Sequence, residues 1–169
     1  RVLFRSIAAA NASTLEGLAT TFTISASAPV SGAVVVNLSF SGLADHGPDF
    51  TGAVPVQIAD AATSTILFSN VLNDGIFEGI ENIIVTIDSV VGNAVVGGTT
   101  AAETIVNDAQ TAPEFSIAAD QGSASEGTAA TFTITPTVTS QAERTLMVSY
   151  TGTAGNGTDF FGQSMAVIP

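Results

Sequence analysis

Hydrophobic and polar residues alternate along much of the chain, and turn-forming residues separate the alternating segments. In "TFTIS" the apolar residues fall on every second position, and "VVVNLSF" repeats the pattern over a longer stretch. Successive side chains of a strand point to opposite faces, so this period predicts short strands with one buried face. The predicted inward residues are Phe22, Ile24, Val34, Val36, Leu38 and Phe40, whereas Val35, Asn37 and Ser39 are predicted to face outward.

Further segments of the same kind predict more strands in the first two thirds of the chain. They lie near Arg5–Ala9, Val54–Ile58, Ser64–Ser69, Ile83–Asp88 and Ala101–Val106. About seven short strands separated by turns are typical of a β-sandwich. The sequence therefore predicts an all-β fold, an Ig-like antiparallel β-sandwich.

The chain contains an internal repeat with an offset of 110 residues. Between Ser6–Ala59 and Ser116–Pro169, 20 of 54 positions are identical and the alignment has no gap. Self-similarity at this spacing indicates repeated structural units. We therefore predict a complete first repeat at 1–108, a linker at 109–114 and a partial second repeat at 115–169, and we expect the chain to be a piece of a longer protein.

The partial repeat supplies about four of the seven predicted strands. Its core positions would then face water unless something covers them, and an exposed strand edge promotes aggregation. Either the remaining strands of the second repeat cover them, or a neighbouring chain completes the fold by β-strand addition and builds a homopolymer. The positions concerned are Phe132, Ile134, Leu146, Val148 and Tyr150.

Charge and composition restrict the partners. The formal net charge is −12, and the chain contains three Lys and Arg residues in total and no Cys. Such a surface repels nucleic acid and anionic membranes, so neither is an expected partner. The sequence also has no apolar run of the roughly 18 residues that a membrane span requires. A cationic partner fits this charge better.

Six acidic residues lie at the ends of predicted strands. The segment "NDGIFEGIEN" alone carries three of them before the sixth strand. Loops at one end of a sandwich gather together, so acids distant in sequence are expected to meet there. Calcium accepts six to eight oxygen ligands, and two Asn residues next to Asp residues add neutral oxygens. The candidates are the acids Glu16, Asp49, Asp74, Glu78, Glu81 and Asp108, and the amides Asn73 and Asn107.

In these segments the chain resembles the Calx-β domain. The matching features are "EG" at Glu16, "GPDF" around Asp49, "NDGIFEGIEN" with its D-x-x-x-E-x-x-E spacing, and "ETIVND" ending at Asp108. The resemblance implies that the six acids are ligands of Ca²⁺. Asn73 and Asn107 stand where an Asp is common in the family, which implies fewer bound ions and weaker binding.

The second repeat retains two of these positions. Glu126 and Asp159 align with Glu16 and Asp49. We predict a partial second metal site at this pair, which needs acids from another segment to become complete.

The resemblance also implies a function. Calx-β repeats occur in tandem in large bacterial surface proteins, so we expect a calcium-binding structural or adhesive module at the cell surface, outside the cell. In this role calcium stiffens the strand-end loops and the junction between repeats, and the partners are further copies of the repeat or chain. A self-assembling filament or surface-layer subunit is the alternative.

Catalysis is the rival from another class. Paired carboxylates such as Asp74, Glu78 and Glu81 also hydrolyse glycosides. However, the chain has no Trp, one Tyr (Tyr150) and one His (His46), which leaves little to line a sugar cleft. We therefore expect that the protein is not an enzyme.

Overall fold

A computed structural model describes residues 2–169, apart from the side chains of Phe4 and Arg5. Arg1, where the predicted first repeat begins, lies outside the described residues. The chain divides into two compact units. The first comprises the residues up to Gly75 together with Gly79–Thr111, and the second comprises Ile76–Glu78 and Ala112–Pro169. The repeat boundaries at 108 and 115 stay predictions.

The described residues of the first unit form ten strands. They are β1 (Val2–Ala9), β2 (Ser13–Leu15), β3 (Ala19–Ala26), β4 (Val34–Gly42), β5 (Phe50–Gly52), β6 (Val56–Ile58), β7 (Ser64–Val71), β8 (Glu81–Val91), β9 (Ala94–Thr99) and β10 (Ala101–Asn107). One five-stranded sheet has the order β5-β7-β3-β1-β9, and the other has the order β2-β10-β8-β4-β6. The pairs β1–β9 and β2–β10 are parallel, and the other pairs are antiparallel. The predicted all-β sandwich is confirmed.

The core lies between the two sheets. Phe22 and Ile24 of β3 and Val34 and Val36 of β4 are fully buried, and Leu38 is also buried. These are the inward positions that the period-two pattern predicts. Phe40, the last of the predicted set, is only half-buried.

Three strands of the first unit were not predicted. β2 and β5 have three residues each, too few for an alternating pattern to be recognised. β9 reads "AVVGGT", and its two glycines interrupt the pattern because glycine has no side chain to place on either face. Long-range pairing of β9 with β1, which the local sequence does not encode, forms this strand.

The second unit contains four strands, β11 (Phe115–Ala119), β12 (Phe132–Pro136), β13 (Arg144–Met147) and β14 (Met165–Ile168). They form two hairpin-like pairs, β11–β12 and β13–β14. Each pair has the register of its counterpart in the first unit. Ile117 lies opposite Ile134 as Ile7 lies opposite Ile24, with the same offset of 110 residues.

Apolar residues of the second unit are exposed as the sequence predicts, but to different extents. Phe132 and Tyr150 are exposed. A cleft that the two strand pairs form is lined by Ile134, Leu146 and Val148, which are therefore half-buried and not fully exposed.

Within residues 2–169, no helix has the length and apolar character needed to cross a membrane.

Replacing Phe22 by Ala should destabilise the first unit strongly. The side chain is fully buried, so its removal leaves a cavity and should cost about 3–5 kcal/mol of unfolding free energy. Phe68→Ala is the matched control, because Phe68 lies on the neighbouring strand but is exposed. Urea unfolding followed by far-UV circular dichroism measures both, and equal losses would contradict the described core.

Candidate metal site

Main-chain hydrogen bonds bring several acid-bearing strand ends of the first unit together. The amide of Glu16 donates to the carbonyl of Asn107 at 3.1 Å, at the ends of β2 and β10. The amide of Gly17 donates to the carbonyl of Val71 at 3.2 Å, which adds the end of β7. Glu81, the first residue of β8, pairs with Val106 of β10. The acids that precede or follow these strands are therefore at one end of the sandwich.

Asp49 occupies a tight turn between β4 and β5. Its carboxylate accepts a hydrogen bond from the amide of Asp45 at 2.5 Å, and its own amide donates to the carbonyl of Asp45 at 3.0 Å. The amide of Leu72 donates to the carbonyl of Asp49 at 2.7 Å, so the turn is attached to the loop after β7. The carboxylate is thus held by local bonds before any ligand is bound.

A glycine at the end of β4 allows the chain that leads to this turn to pass close to the main chain of β8. Gly42 has a φ of +126°, and a Cβ there would overlap the carbonyl oxygen of Asn82. The side chain of Asn82 accepts a hydrogen bond from the amide of Leu43 at 2.8 Å. Only a residue without a side chain permits this approach, which brings the Asp49 turn close to Glu81.

Glu16 is the most buried acid of the group, with 7% of its surface exposed. Burial is the main cause that raises the pKa of this carboxyl, and the charges of Asp108, Asp74 and Asp49 raise it further. A hydrogen bond from the amide of Ala109 at 3.4 Å opposes the change. Neighbouring carboxylates thus disfavour the ionised form of Glu16.

Glu81 is in a similar position. Burial raises its pKa most, followed by the charges of Asp49, Glu16, Asp45 and Asp108. The other acids of the first unit therefore raise the pKa values of both Glu16 and Glu81. A cation at this point would favour their ionised forms.

Asp49 and Glu81 bring two carboxylates of the first unit close together. One oxygen of each lies within 4.8 Å of one oxygen of the other, which is close enough for both to bind a single metal ion. Glu78 belongs to the second unit, where it accepts a hydrogen bond from the side-chain amide of Gln141 at 2.8 Å.

Asp108 and Asn107 are engaged with the main chain. The two carboxylate oxygens of Asp108 accept bonds from the amides of Gln110 at 2.7 Å and Gly79 at 2.8 Å. The side chain of Asn107 donates to the carbonyl of Thr14 at 3.2 Å. Both residues therefore fix the loop around the acids.

Asn73 and Asp74 follow β7. The side-chain oxygen of Asn73 accepts bonds from the amide of Gly75 at 3.0 Å and the side chain of Gln110 at 2.8 Å. The charge of Asp74 contributes to raising the pKa of Glu16. The structure thus brings the charges of Glu16, Asp49, Asp74 and Asp108 together, while Asn73 is bonded within the loop.

Sequence reasoning missed two residues that take part in this site. Asp45 contributes charge near Glu81 and donates its amide to Asp49. Gln110, assigned to the linker, bonds to Asn73. Asp45 stands four residues before Asp49, a spacing typical of a turn, so the sequence did contain a signal for it.

The second repeat reproduces the Asp49 turn. The amide of Gly155 donates to the carboxylate of Asp159 at 2.7 Å, and the amide of Gly157 donates to the carbonyl of Phe160 at 2.7 Å. Glu126, the counterpart of Glu16, is exposed. In the described part of the chain neither Glu126 nor Asp159 belongs to a group of three closely spaced ligands.

Comparisons with solved structures agree with the predicted β-sandwich fold. No protein-family model matches the sequence, and no curated protein matches it. Among solved structures, the apo form of the Calx CBD1 domain matches with a TM-score of 0.51 and 15% identity, over 62% of this chain and 98% of that one. A CBD12 structure from CALX1.2 has a TM-score of 0.49 and 14% identity, over 63% of this chain and 44% of that one. The predicted resemblance to Calx-β domains is confirmed for the fold.

Replacing Glu16 by Gln should stabilise the metal-free protein at pH 7 but not at pH 4. The folded-state pKa of Glu16 is raised by burial above the unfolded value of 4.5. Its contribution to stability is therefore present below pH 4.5 and is lost as the pH rises through the folded pKa. Thermal unfolding in chelator at both pH values measures this difference.

Glu126→Gln is the matched control for Glu16→Gln, since Glu126 occupies the same repeat position but is exposed. Its replacement should leave the melting temperature unchanged at both pH values. A gain for Glu16→Gln that is equally large at pH 4 would show that ionisation of the buried Glu16 carboxyl is not its cause.

Proposed function

We propose that the first unit is a calcium-binding structural module of an extracellular repeat protein. The observation that carries the proposal is the concentration of acids around Glu16 and Glu81, whose pKa values are raised by burial and by neighbouring carboxylates. Arg144, the one Lys or Arg side chain that the structure describes, contacts Phe77 and Ser140. A cation from solution is the simplest compensation for this charge.

The donor set fits calcium. Every candidate ligand offers oxygen, which is the donor that calcium and magnesium prefer and that zinc or copper sites use less. Two ligands on opposite sides of a Ca²⁺ ion are at most about 5 Å apart, since each bond measures 2.3–2.6 Å. The oxygens of Asp49 and Glu81, which lie within 4.8 Å of each other, satisfy this distance.

Calcium would act on the structure by changing the charge balance at the sheet ends. Glu81 begins β8, Glu16 follows β2 and Asp108 follows β10. One ion bound to these side chains would attract all of the carboxylates, which otherwise repel one another. It would also restrict the motion of the loops that carry them. The expected result is a stiffer end of the sandwich when calcium is present.

The setting we propose is the surface of a bacterial cell, where further copies of the repeat are the partners. The net charge of −12 supports an extracellular role, because millimolar calcium there neutralises acidic surfaces. The internal repeat supports a tandem arrangement. The role is mechanical or adhesive.

Binding explains these acids better than catalysis. A glycosidase positions one protonated and one ionised carboxyl on opposite sides of a bond in a cleft. Here the acids surround the ends of several strands, and Asp108 has both oxygens bonded to main-chain amides. Such bonds hold carboxylates in place for a static ligand.

Calcium should raise the melting temperature of the first unit. A ligand at one hundred times its dissociation constant adds about 2.7 kcal/mol to stability, which corresponds to a rise of roughly 10 °C or more in the melting temperature of a domain of this size. Magnesium should have a smaller effect because it demands a rigid octahedral site. Differential scanning calorimetry in chelator, in millimolar calcium and in millimolar magnesium measures this, and identical curves would refute the proposal.

Replacing Glu81 by Gln should weaken calcium binding at least tenfold. The substitution keeps the shape of the side chain but removes a charge from the centre of the cluster. Asp88→Asn is the matched control, because Asp88 lies on the same strand and bonds to Ser39 instead. Isothermal titration calorimetry compares the two. If both variants lose the same affinity, the attraction is diffuse and there is no defined site.

A further inference from the structure

The two sheets of the first unit differ in the charge of their outer faces. β3 and β7, neighbours in one sheet, contain no charged residue at all, although the chain has a formal net charge of −12. In the other sheet Asp88 of β8 and Glu103 of β10 are both exposed. Charge is therefore excluded from the outer face of β3 and β7, but it is present on the outer face of β8 and β10.

Outward side chains of β1, β3 and β7 form one continuous surface, which we call the uncharged face. They alternate along their strands with core residues such as Phe22 and Leu67. Cross-strand pairing places Ile66 opposite Thr23, and Thr23 opposite Ala8. Residues directly opposite each other in an antiparallel pair share a face, so these three form a row across the sheet. The uncharged face consists of Ala8, Thr21, Thr23, Ser25, Ile66 and Phe68.

Large and small side chains lie on different strands of the uncharged face. Ile66 and Phe68 on β7 are 50% and 64% exposed. Thr21 and Thr23 on β3 are half-buried, and the exposed Ala8 on β1 has only a methyl group. The side chains of β7 therefore form a ridge, and those of β3 and β1 form a shallow trough beside it.

A ridge beside a trough is complementary to a second copy of the same surface. A two-fold axis parallel to the strands, near β3, places β7 of one copy over β1 and β3 of the other, and the reverse. Ile66 of each copy then meets the row of Ala8 and Thr23 in the other copy. We propose that the uncharged face is a contact surface between two copies of this chain, whose sheets pack face to face.

Charge also favours a second copy as the occupant. Two chains with a net charge of −12 repel each other, and contact through their acidic surfaces would bring carboxylates together. Contact through β3 and β7 brings no carboxylate of these strands into the interface, while Ile66 and Phe68 leave water. A basic partner would find no carboxylate on these two strands to pair with.

The size of the uncharged face predicts weak association. β3 and β7 have eight residues each, so the face of three strands covers roughly 400 Å² per copy. Stable interfaces bury about 800 Å² per partner, and smaller ones are typical of transient complexes. We therefore expect a monomer at low micromolar concentration and dimers at high concentration. This inference rests on the proposed partnership between copies of the chain, but not on calcium binding.

Sedimentation equilibrium of the whole chain in chelator tests the proposal. The double variant Ile66→Thr, Phe68→Thr removes the ridge but keeps β-branched residues that suit a strand. It should weaken association about tenfold or more. Val91→Thr is the matched control, because Val91 is 62% exposed but lies on β8 of the other sheet, and it should associate like the wild type. Far-UV circular dichroism checks that both variants are folded.

Disulfide cross-linking in chelator tests the geometry of the contact. The chain has no Cys, so the single variants Ala8→Cys and Ile66→Cys can be mixed and oxidised without interference. The two-fold contact brings these positions of different copies together, so the mixed disulfide dimer should exceed either homodimer severalfold. A mixture of Asp88→Cys with Ile66→Cys is the control and should cross-link only at the background rate.

Three outcomes would overturn the proposal. The first is a wild-type chain that stays monomeric at the highest soluble concentration. The second is association of the Ile66→Thr, Phe68→Thr variant that equals that of the wild type. The third is association that only Phe132→Thr abolishes, because Phe132 is exposed in the second unit and the contact would then lie there. Since chelator is present throughout, none of these outcomes bears on the calcium proposal, which calorimetry tests separately.

Discussion

Each sheet of the first unit can exist only because the other sheet covers its apolar face. Phe22 and Ile24 on one sheet and Val34 and Val36 on the other are fully buried in the shared core. This mutual burial provides most of the stabilisation, and it must offset both chain entropy and the repulsion among acids at one end. The positions of the acids depend on it as well, because the sheets fix where the strands begin and end.

The same constraint explains how much of the fold could be predicted. Long alternating segments such as "VVVNLSF" indicate their buried face locally, so β3 and β4 follow from the sequence. β9 does not, because its glycines remove the alternation and its pairing with β1 joins segments far apart in sequence. The short β2 likewise depends on its distant neighbour β10.

The candidate site likewise has local features that the sequence predicts and non-local features that it does not. The turn around Asp49 is local, and its hydrogen bonds recur around Asp159 in the second unit although the burial of the two units differs. The proximity of Glu16 to Asp108 is non-local, and only the family spacing of the acids anticipates it. Burial separates equivalent residues too, since Glu16 is nearly enclosed and Glu126 is exposed. A sequence motif specifies the chemistry of such a position but not its environment.

Parallel pairing of β2 with β10 has a mechanical consequence. Tension that enters the first unit at its amino end and leaves at its carboxyl end pulls these adjacent strands in opposite directions along a common axis. Their hydrogen bonds are then loaded together in shear, as are those of β1 and β9, and they do not open one after another. The bond from the amide of Glu16 to the carbonyl of Asn107 lies at the end of this sheared pair. An ion held beside Glu16 would therefore act where the load leaves the sheet.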